Sequence, residues 1–316
     1  MFDFTSEFEA LAEAYSESGG EVQDLKNDTH GLILVSGNEV LGTNEIKGLR
    51  MQSESIPDGI RAKVTVEKDH HLQNPVHMCF GVLPEKGVQK IEVEFDIQDN
   101  ASASFLAHCT FPKAVKVQHI MHGVARIGKK AHMQYHETHY HGAGGGVEVL
   151  PDIKVYVDEG GRYSTTFKLV KGAAGRVDIK YDAWLKKDAV AEMFAKIYGK
   201  GSDDIKIKES IYLDGENSRG LAESRIVVAE KARAEVLGEI VGTGENSRGH
   251  VDCTEIVQGK TAMASAVPRL KVVDETSHLT HEAAIGSVDK KQIQTLMARG
   301  LDEQQATDMI VGGLLR

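Results

Sequence analysis

The chain has 316 residues, with 47 acidic and 37 basic side chains and a formal net charge of -10. This acidic balance argues against a surface that neutralises nucleic-acid phosphates or lies on an anionic membrane. The three cysteines, Cys79, Cys109 and Cys253, are too few and too far apart for a disulfide framework. Because the N-terminus lacks a basic segment followed by an apolar run and no apolar stretch is long enough to span a bilayer, we expect a cytoplasmic protein with reduced thiols.

An amphipathic helix is predicted near the N-terminus. Apolar residues recur at helical spacing from Phe8 to Tyr15, and Gly19 follows as a stop signal. We place this helix in an N-terminal region of mixed helix and strand, residues 1–89.

Residues 90–286 predict a mainly β fold. Short β-prone runs alternate with turns in which two polar residues precede a small one. Six such turns place the small residue at Ala101, Ala131, Gly161, Ala189, Ala232 and Ser277, at spacings of 30, 30, 28, 43 and 45. The hexapeptide Gly-Glu-Asn-Ser-Arg-Gly also occurs twice, at 215–220 and 244–249, which indicates that similar turns recur. Units that bury their apolar faces only by stacking are typical of a solenoid, and we predict a β-helix.

Residues 287–316 predict a helical hairpin. Asp289 can cap a first helix, Gly300 can end it, and Asp302 with Gln305 forms a second cap. Because so short a helix pair needs a surface to pack on, we expect it to cover the last coil or to offer its apolar face to a partner.

Histidines are concentrated in one part of the chain, since seven of the 14 lie between His108 and His141. On a strand, Glu137, His139 and His141 point to one side and His136 to the other. Such side chains suit a transition-metal site, and a polar ladder on a solvent-facing strand is the alternative interpretation.

The cysteines also have two interpretations. Cys109 ends a strand-like run next to His108, and a thiolate beside an imidazole attacks sulfur or binds soft metals. A single cysteine in an apolar β context is more often a small buried residue. Alternation places Cys253 and Glu255 on one strand face, and Cys79 is predicted to lie in the core.

Several segments resemble the SufB/SufD core family, scaffold proteins for iron-sulfur clusters that work with the SufC ATPase. The resemblance covers roughly the last 220 residues. Segment 253–259 resembles the SufB stretch Cys-Asp-Ser-Leu-Leu-(Ile/Met)-Gly, and segment 109–112 resembles part of Gly-Cys-Thr-Ala-Pro. Segments 281–283 and 299–301 resemble the closing His-Glu-Ala and Arg-Gly-(Ile/Leu) pattern in the correct order.

The resemblance implies a right-handed parallel β-helix with helical regions at both ends, and a scaffold rather than an enzyme. By position, Cys109 matches the cysteine that receives sulfur from a donor protein. Cys253 matches the cysteine at the subunit interface where the cluster forms, and His281 and Glu282 match candidate ligands there. The helical hairpin matches the surface that docks the ATPase.

We therefore expect a homodimer, or a heterodimer with a SufD-like subunit, that binds a SufC-like ABC ATPase. A transient iron-sulfur cluster with no permanent cofactor is expected, because no closely spaced cysteine motif is present. The chain has no Walker-type sequence, so ATP hydrolysis is assigned to the partner.

Two departures from the family pattern, at His108 and at 138–140, imply a different route for sulfur inside the solenoid. The rival hypothesis is a metal-dependent enzyme on a β-solenoid or cupin-like scaffold that uses His136, His139 and His141. A structural solenoid without metal is the third alternative.

Overall fold

The computed structural model describes residues 6–142 and 144–316. The helices are α1 (Ser6–Glu17), a short 3₁₀ helix (Asp24–Lys26), α2 (Lys290–Met297) and α3 (Glu303–Leu314). The strands are β1 (Gly31–Ser36), β2 (Glu39–Asn44), β3 (Leu49–Ile56), β4 (Gly59–Val66), β5 (Val76–Gly81), β6 (Lys86–Ile97), β7 (Ser102–Phe111), β8 (Lys116–Ile127), β9 (His132–His141), β10 (Val147–Val157), β11 (Arg162–Lys171), β12 (Arg176–Leu185), β13 (Val190–Gly199), β14 (Asp204–Leu213), β15 (Arg219–Ala229), β16 (Arg233–Gly242), β17 (Arg248–Gln258), β18 (Met263–Val272) and β19 (His278–Gly286). Among these described helices, none is long and apolar enough to cross a membrane.

Two sheets share the strands alternately. One sheet has the order β19-β17-β15-β13-β11-β9-β7-β5-β1-β2, and the other has the order β18-β16-β14-β12-β10-β8-β6-β4-β3. Successive strands from β5 to β19 change sheet each time, and neighbours such as β7 and β9 or β6 and β8 pair in parallel. The predicted β-solenoid is therefore confirmed, and we call the space between its two sheets the lumen.

Successive coils share a turn at one corner, in which one residue has a positive φ, and each such turn stacks on the turn of the next coil. The turn residues with positive φ are Asn100, Lys130, Gly160, Asp188, Asn217 and Asn246. Each of the first five, from Asn100 to Asn217, donates its backbone N–H to a carbonyl oxygen in the next turn at 2.8 to 3.0 Å. The small residue that follows each of them is buried, so the turn unit seen in the sequence is the stacking unit of the solenoid.

The register of the predicted repeat is wrong at Ala232. That residue follows β15 and lies at the opposite corner, whereas the stacked column passes through Asn217 and Asn246 of the two hexapeptides. The predicted spacing of 43 residues, from Ala189 to Ala232, connects two different corners of the solenoid. Between Asn100 and Asn246 the coils keep a period of 28 to 30 residues.

The N-terminal region contributes coils of its own. β1 pairs with β5 in parallel and β4 pairs with β6 in parallel, so the division predicted at residue 90 lies inside β6. Helix α1 packs Leu11 and Tyr15 against Leu34 and Cys79, which places Cys79 in an apolar cluster as predicted.

The C-terminal hairpin has the predicted caps. Asp289 accepts a hydrogen bond from the backbone of Lys291 at 2.9 Å, and Gly300 has a φ of 99° between the helices. Asp302 and Gln305 form a reciprocal capping box at 2.8 and 3.0 Å.

The hairpin packs on the side of the solenoid. Val311 and Leu315 contact the ends of β13 and β15 in a small cluster with Tyr198 and Val227. The strands of the last coil, β18 and β19, remain largely exposed.

Candidate functional sites

A cluster of polar side chains lies in the lumen near the N-terminal half of the solenoid. Its members are Cys109 on β7, His119 on β8, and Glu137, His139 and His141 on β9. The parallel register of β7 and β9 places Cys109 opposite His139. Each of the five residues is at most 2% exposed, so the cluster is enclosed by the fold.

The members of this lumen cluster contact one another closely. The Oε1 atom of Glu137 lies 2.5 Å from Nε2 of His139 and 3.9 Å from Sγ of Cys109. Nδ1 of His139 lies 3.3 Å from Nε2 of His141. One ligand atom from each of Cys109, His119, Glu137 and His139 lies within 4.8 Å of the others, which is the composition of a metal-binding group.

The lumen cluster carries little charge at neutral pH. Burial lowers the pKa of His119, His139 and His141 to about 3 and raises the pKa of Glu137 to about 7. Burial also raises the pKa of the Cys109 thiol well above its ordinary value. The imidazoles are therefore neutral and the thiol is protonated.

The members of the lumen cluster differ from the predicted histidine site. Glu137, His139 and His141 do share a face, but His136 points to the outer side of β9 and does not join them, because side chains alternate along a strand. The shared face is the lumen, so the interpretation as a solvent-facing ladder is wrong for His139 and His141. His119 was not predicted as a member.

The imidazole beside Cys109 is also not the predicted one. His108 points to the other face of β7, where its Nδ1 lies 2.5 Å from Oγ of Ser18 and its ring centroid lies 4.5 Å from that of Tyr15. Burial lowers the pKa of His108 to about 4. The histidines near the thiol are those of the lumen cluster.

A second group of polar residues lies in the lumen toward the C-terminal end. Cys253 and Glu255 both point inward from β17, as alternation predicts, and Glu255 accepts a hydrogen bond from Ser224 at 3.3 Å. Burial raises the pKa of Cys253 to about 11, of Glu255 to about 7 and of Glu209 to about 8.

The last coil places His281 and Glu282 on opposite faces of β19. His281 lies opposite Val251 in the lumen-facing row, and Glu282 lies opposite Asp252 in the outer row. Both are exposed, whereas Cys253 is buried one strand further in. Within the described residues, the three side chains do not form a group with ligand atoms inside 4.8 Å. The three predicted ligand residues are therefore not brought together within one chain.

A further histidine pair lies under the N-terminal region. Nε2 of His77 is 3.2 Å from Nδ1 of His30. Nδ1 of His77 is 3.1 Å from the hydroxyl oxygen of Tyr15. Asp24 has a carboxylate oxygen within 4.8 Å of both imidazoles. No sequence pattern predicted this group.

Comparisons with known proteins identify the family of the chain. The family model described as "SUF system FeS cluster assembly, SufBD core domain" matches residues 85–314. An iron-sulfur cluster assembly SufBD family protein of Methanocaldococcus jannaschii is 37% identical over 305 residues, which is 96% of each chain.

More distant relatives carry related names. A SufBD family protein of Pyrococcus horikoshii is 32% identical over 98% of this chain and 94% of its own length. The iron-sulfur cluster assembly protein SufB of Bacillus subtilis is 24% identical over 80% of this chain and 54% of its own length. The family match and the two archaeal similarities span most of the chain, which therefore belongs to the SufBD family of iron-sulfur cluster assembly proteins.

Proposed function

We propose that the chain is a scaffold subunit that builds a transient iron-sulfur cluster at a subunit interface, together with a SufC-like ATPase. The observation that carries this proposal is the exposed last coil beside Cys253. We call this part of the molecule, strands β18 and β19, the open end.

The open end has the properties of an unfinished interface. Among the strands of residues 6–142 and 144–316, β18 and β19 are the terminal strands of their sheets, and one edge of each has no strand partner there. Unpaired edges of this length are templates for pairing with another chain. Ile285, in the lumen-facing row, is 50% exposed, and Val267 on β18 is 43% exposed. A second SufBD subunit, either another copy or a SufD-like chain, would cover these apolar side chains.

The candidate cluster ligands lie at this end. Cys253 would supply a soft thiolate, while His281 and Glu282 would supply an imidazole and a carboxylate that hold iron less tightly. Because one chain does not bring the three together, facing subunits would complete the set. A mixed set of this kind suits a cluster that must be released to a recipient.

Sulfur would enter at Cys109. Transfer from a donor persulfide to the Cys109 thiolate would leave the donor as a thiol and Cys109 as a persulfide. Buried polar side chains continue along the lumen from there toward Cys253, at Thr165, Glu209 and Ser224. Because Cys109 is buried with a raised pKa, this step requires the lumen to open and the thiol to lose its proton.

The hairpin of α2 and α3 would dock the ATPase. Its inner side contacts the ends of β13 and β15, while Met309 is 55% exposed on α3 and Met297 is exposed on α2. Flexible apolar side chains of this type are common on protein-binding surfaces. Movement of the hairpin on ATP binding would then act on the C-terminal half of the solenoid.

Anaerobic reconstitution with ferrous iron and sulfide tests the proposal, with and without a SufC-like ATPase. Cluster absorbance and iron content are expected to fall to background in Cys253→Ser. They should be retained in Cys79→Ser, which changes another buried thiol away from the open end. Equal cluster content in both variants would contradict assembly at Cys253.

The rival hypothesis of a metal-dependent enzyme gives a different pattern. It requires His139 and is indifferent to Cys253. Metal-dependent turnover that persists in Cys253→Ser and is lost in His139→Ala would favour the enzyme.

A further inference from the structure

The hydrogen-bond network around the lumen cluster fixes where its lone pairs point. Gln89 donates its amide N–H groups to the carbonyl oxygens of Gly37 and Gly81 at 3.0 and 3.1 Å. Since carbonyl oxygens only accept, Oε1 of Gln89 faces His119 and accepts from its Nδ1 at 3.0 Å. A neutral His119 then has its lone pair on Nε2, and that buried atom has no hydrogen-bond partner among the described residues.

The same reasoning applies to the other two imidazoles. Nδ1 of His141 lies 3.0 Å from the carbonyl oxygen of Ala173 and must donate to it, so Nε2 of His141 accepts. The donor to that atom is Nδ1 of His139, at 3.3 Å. The lone pair of His139 is therefore on Nε2, which accepts a hydrogen bond from the protonated carboxyl oxygen Oε1 of Glu137 at 2.5 Å.

Four electron-pair donors thus lie within 4.8 Å of one another in the lumen. They are Nε2 of His119, Nε2 of His139, the carboxyl group of Glu137 and the sulfur of Cys109. The second carboxyl oxygen of Glu137 is also buried, and the part of the chain that the structure describes offers it no hydrogen-bond partner. Buried polar atoms are nearly always partnered, so two unpartnered atoms on neighbouring members of one cluster indicate a missing ligand.

We infer that the lumen binds one divalent first-row transition-metal ion through Cys109, His119, Glu137 and His139. One thiolate, one carboxylate and two neutral imidazoles are a set of four ligands of the kind that binds Zn²⁺ tetrahedrally. Fe²⁺ or Co²⁺ can bind to the same ligands. Binding releases the thiol proton and any proton on the carboxyl group, so the loaded site is electrically neutral. A neutral complex is the form that a buried position tolerates.

The second shell of this site is already in place. Gln89 orients His119, and His141 with the Ala173 carbonyl orients His139. Such outer partners fix the tautomer of a ligating histidine. The ion and an incoming sulfur atom would use the same thiolate, so the metal-bound and sulfur-accepting states of Cys109 exclude each other. The site itself does not depend on cluster assembly at Cys253.

Cobalt binding to the full-length, metal-free protein tests the inference. Because the site is enclosed, the protein is refolded anaerobically in the presence of Co²⁺, and folding is checked by circular dichroism. One tightly bound Co²⁺ per chain is expected, with intense tetrahedral bands and a thiolate-to-cobalt charge-transfer band. Cys109→Ser should abolish the charge-transfer band, whereas Cys79→Ser and Cys253→Ser, which change the other two buried thiols, should keep it.

A second variant covers the case in which Cys109→Ser does not fold. Glu137→Gln keeps the shape of the side chain and removes one ligand charge, and it should weaken Co²⁺ binding at least tenfold. Competition with Zn²⁺ and with Fe²⁺ then shows which ion the site prefers. Wild-type protein that folds without binding Co²⁺, or a charge-transfer band that follows Cys253 instead, would overturn the inference. Cluster reconstitution at Cys253 is scored separately, so failure of one proposal is distinguishable from failure of the other.

Discussion

Two buried thiols of the same lumen differ in what surrounds them. Cys109 lies on β7, which is paired on both sides by β5 and β9, and three further donor groups from the same chain converge beside it. Cys253 lies on β17 and is separated from the end of the sheet by the exposed strand β19. Within the described residues, ligand-type atoms of one chain therefore gather around the first thiol, whereas the proposed site at the second thiol needs another molecule.

The largest difference between the two regions is expected in packing energy. Phe111 is fully buried beside the lumen cluster, with ring centroids 5.1 Å from His119 and 5.3 Å from His141. Phe111→Ala should lower the free energy of unfolding by about 3–5 kcal/mol, because it leaves a cavity in an enclosed region. Ile285→Ala at the open end should cost about 0.5 kcal/mol or less in a dilute monomer.

Urea denaturation of both variants in metal-free buffer measures this contrast. A cost for Ile285→Ala that increases with protein concentration would show that a second chain covers the open end. If Phe111→Ala and Ile285→Ala lower the free energy of unfolding by equal amounts at every protein concentration, packing does not distinguish a closed region from an open one.

Protonation of Glu209, between the two thiols along the solenoid, should give the next largest effect. Burial raises its pKa to about 8, from an ordinary value of 4.5. The folded state therefore binds a proton more tightly than the unfolded state, and stability present below pH 4.5 is lost as the pH rises through 8. Glu209→Gln cannot lose that proton, so it should gain roughly 2 to 4 kcal/mol over wild type between pH 5 and pH 9.

Thermal or urea unfolding at several pH values measures this slope. Glu235→Gln, on an exposed position of β16, is the matched control and should follow wild type. The same slope in Glu209→Gln as in wild type would mean that Glu209 is ionised when buried.

A charged substitution tests directly whether the open end is an interface with a second chain. Ile285→Lys adds an ammonium group to a lumen-facing but half-exposed position, so a single chain should still fold. Across an interface with a second chain, the same charge would be buried without a partner, and dimer affinity should fall about 100-fold, or roughly 2.7 kcal/mol.

Sedimentation velocity across a concentration series measures the dimer affinity. Val88→Lys changes an exposed valine on β6, at the other end of the solenoid, and should leave association unchanged. If both variants associate as wild type does, the open end is not the interface.

Local signals made much of the fold predictable. The turn at Asn100, the stop at Gly300 and the capping pair Asp302 and Gln305 each depend on residues a few positions apart, and the structure contains all of them. The register of the coils depends on which strands stack. The sequence alone did not assign Ala232 to the opposite corner, because polar turns followed by a small residue occur at both corners.

The lumen cluster was only half predictable for the same reason. Alternation along β9 put Glu137 and His139 on one face, but polar residues occupy both faces of this strand, so alternation did not identify the lumen. The coil period would have supplied the rest. It places Cys109 opposite His139, and Gln89 opposite His119, each pair 30 residues apart. The period that relates the turns also relates the strands between them.

The smallest expected effect concerns α3, which contacts the half of the solenoid that carries the open end. Asp302→Ala removes a capping box and should cost α3 about 1 kcal/mol, or roughly a fivefold loss of amide hydrogen-exchange protection in its first turn. Glu303→Ala, at the next position, keeps both capping hydrogen bonds and is the control. If the hairpin transmits ATPase binding, cluster loading at Cys253 should fall in Asp302→Ala while Co²⁺ binding at Cys109 stays constant. A parallel loss at both sites would mean that the two regions respond as one unit and that the comparison between them fails.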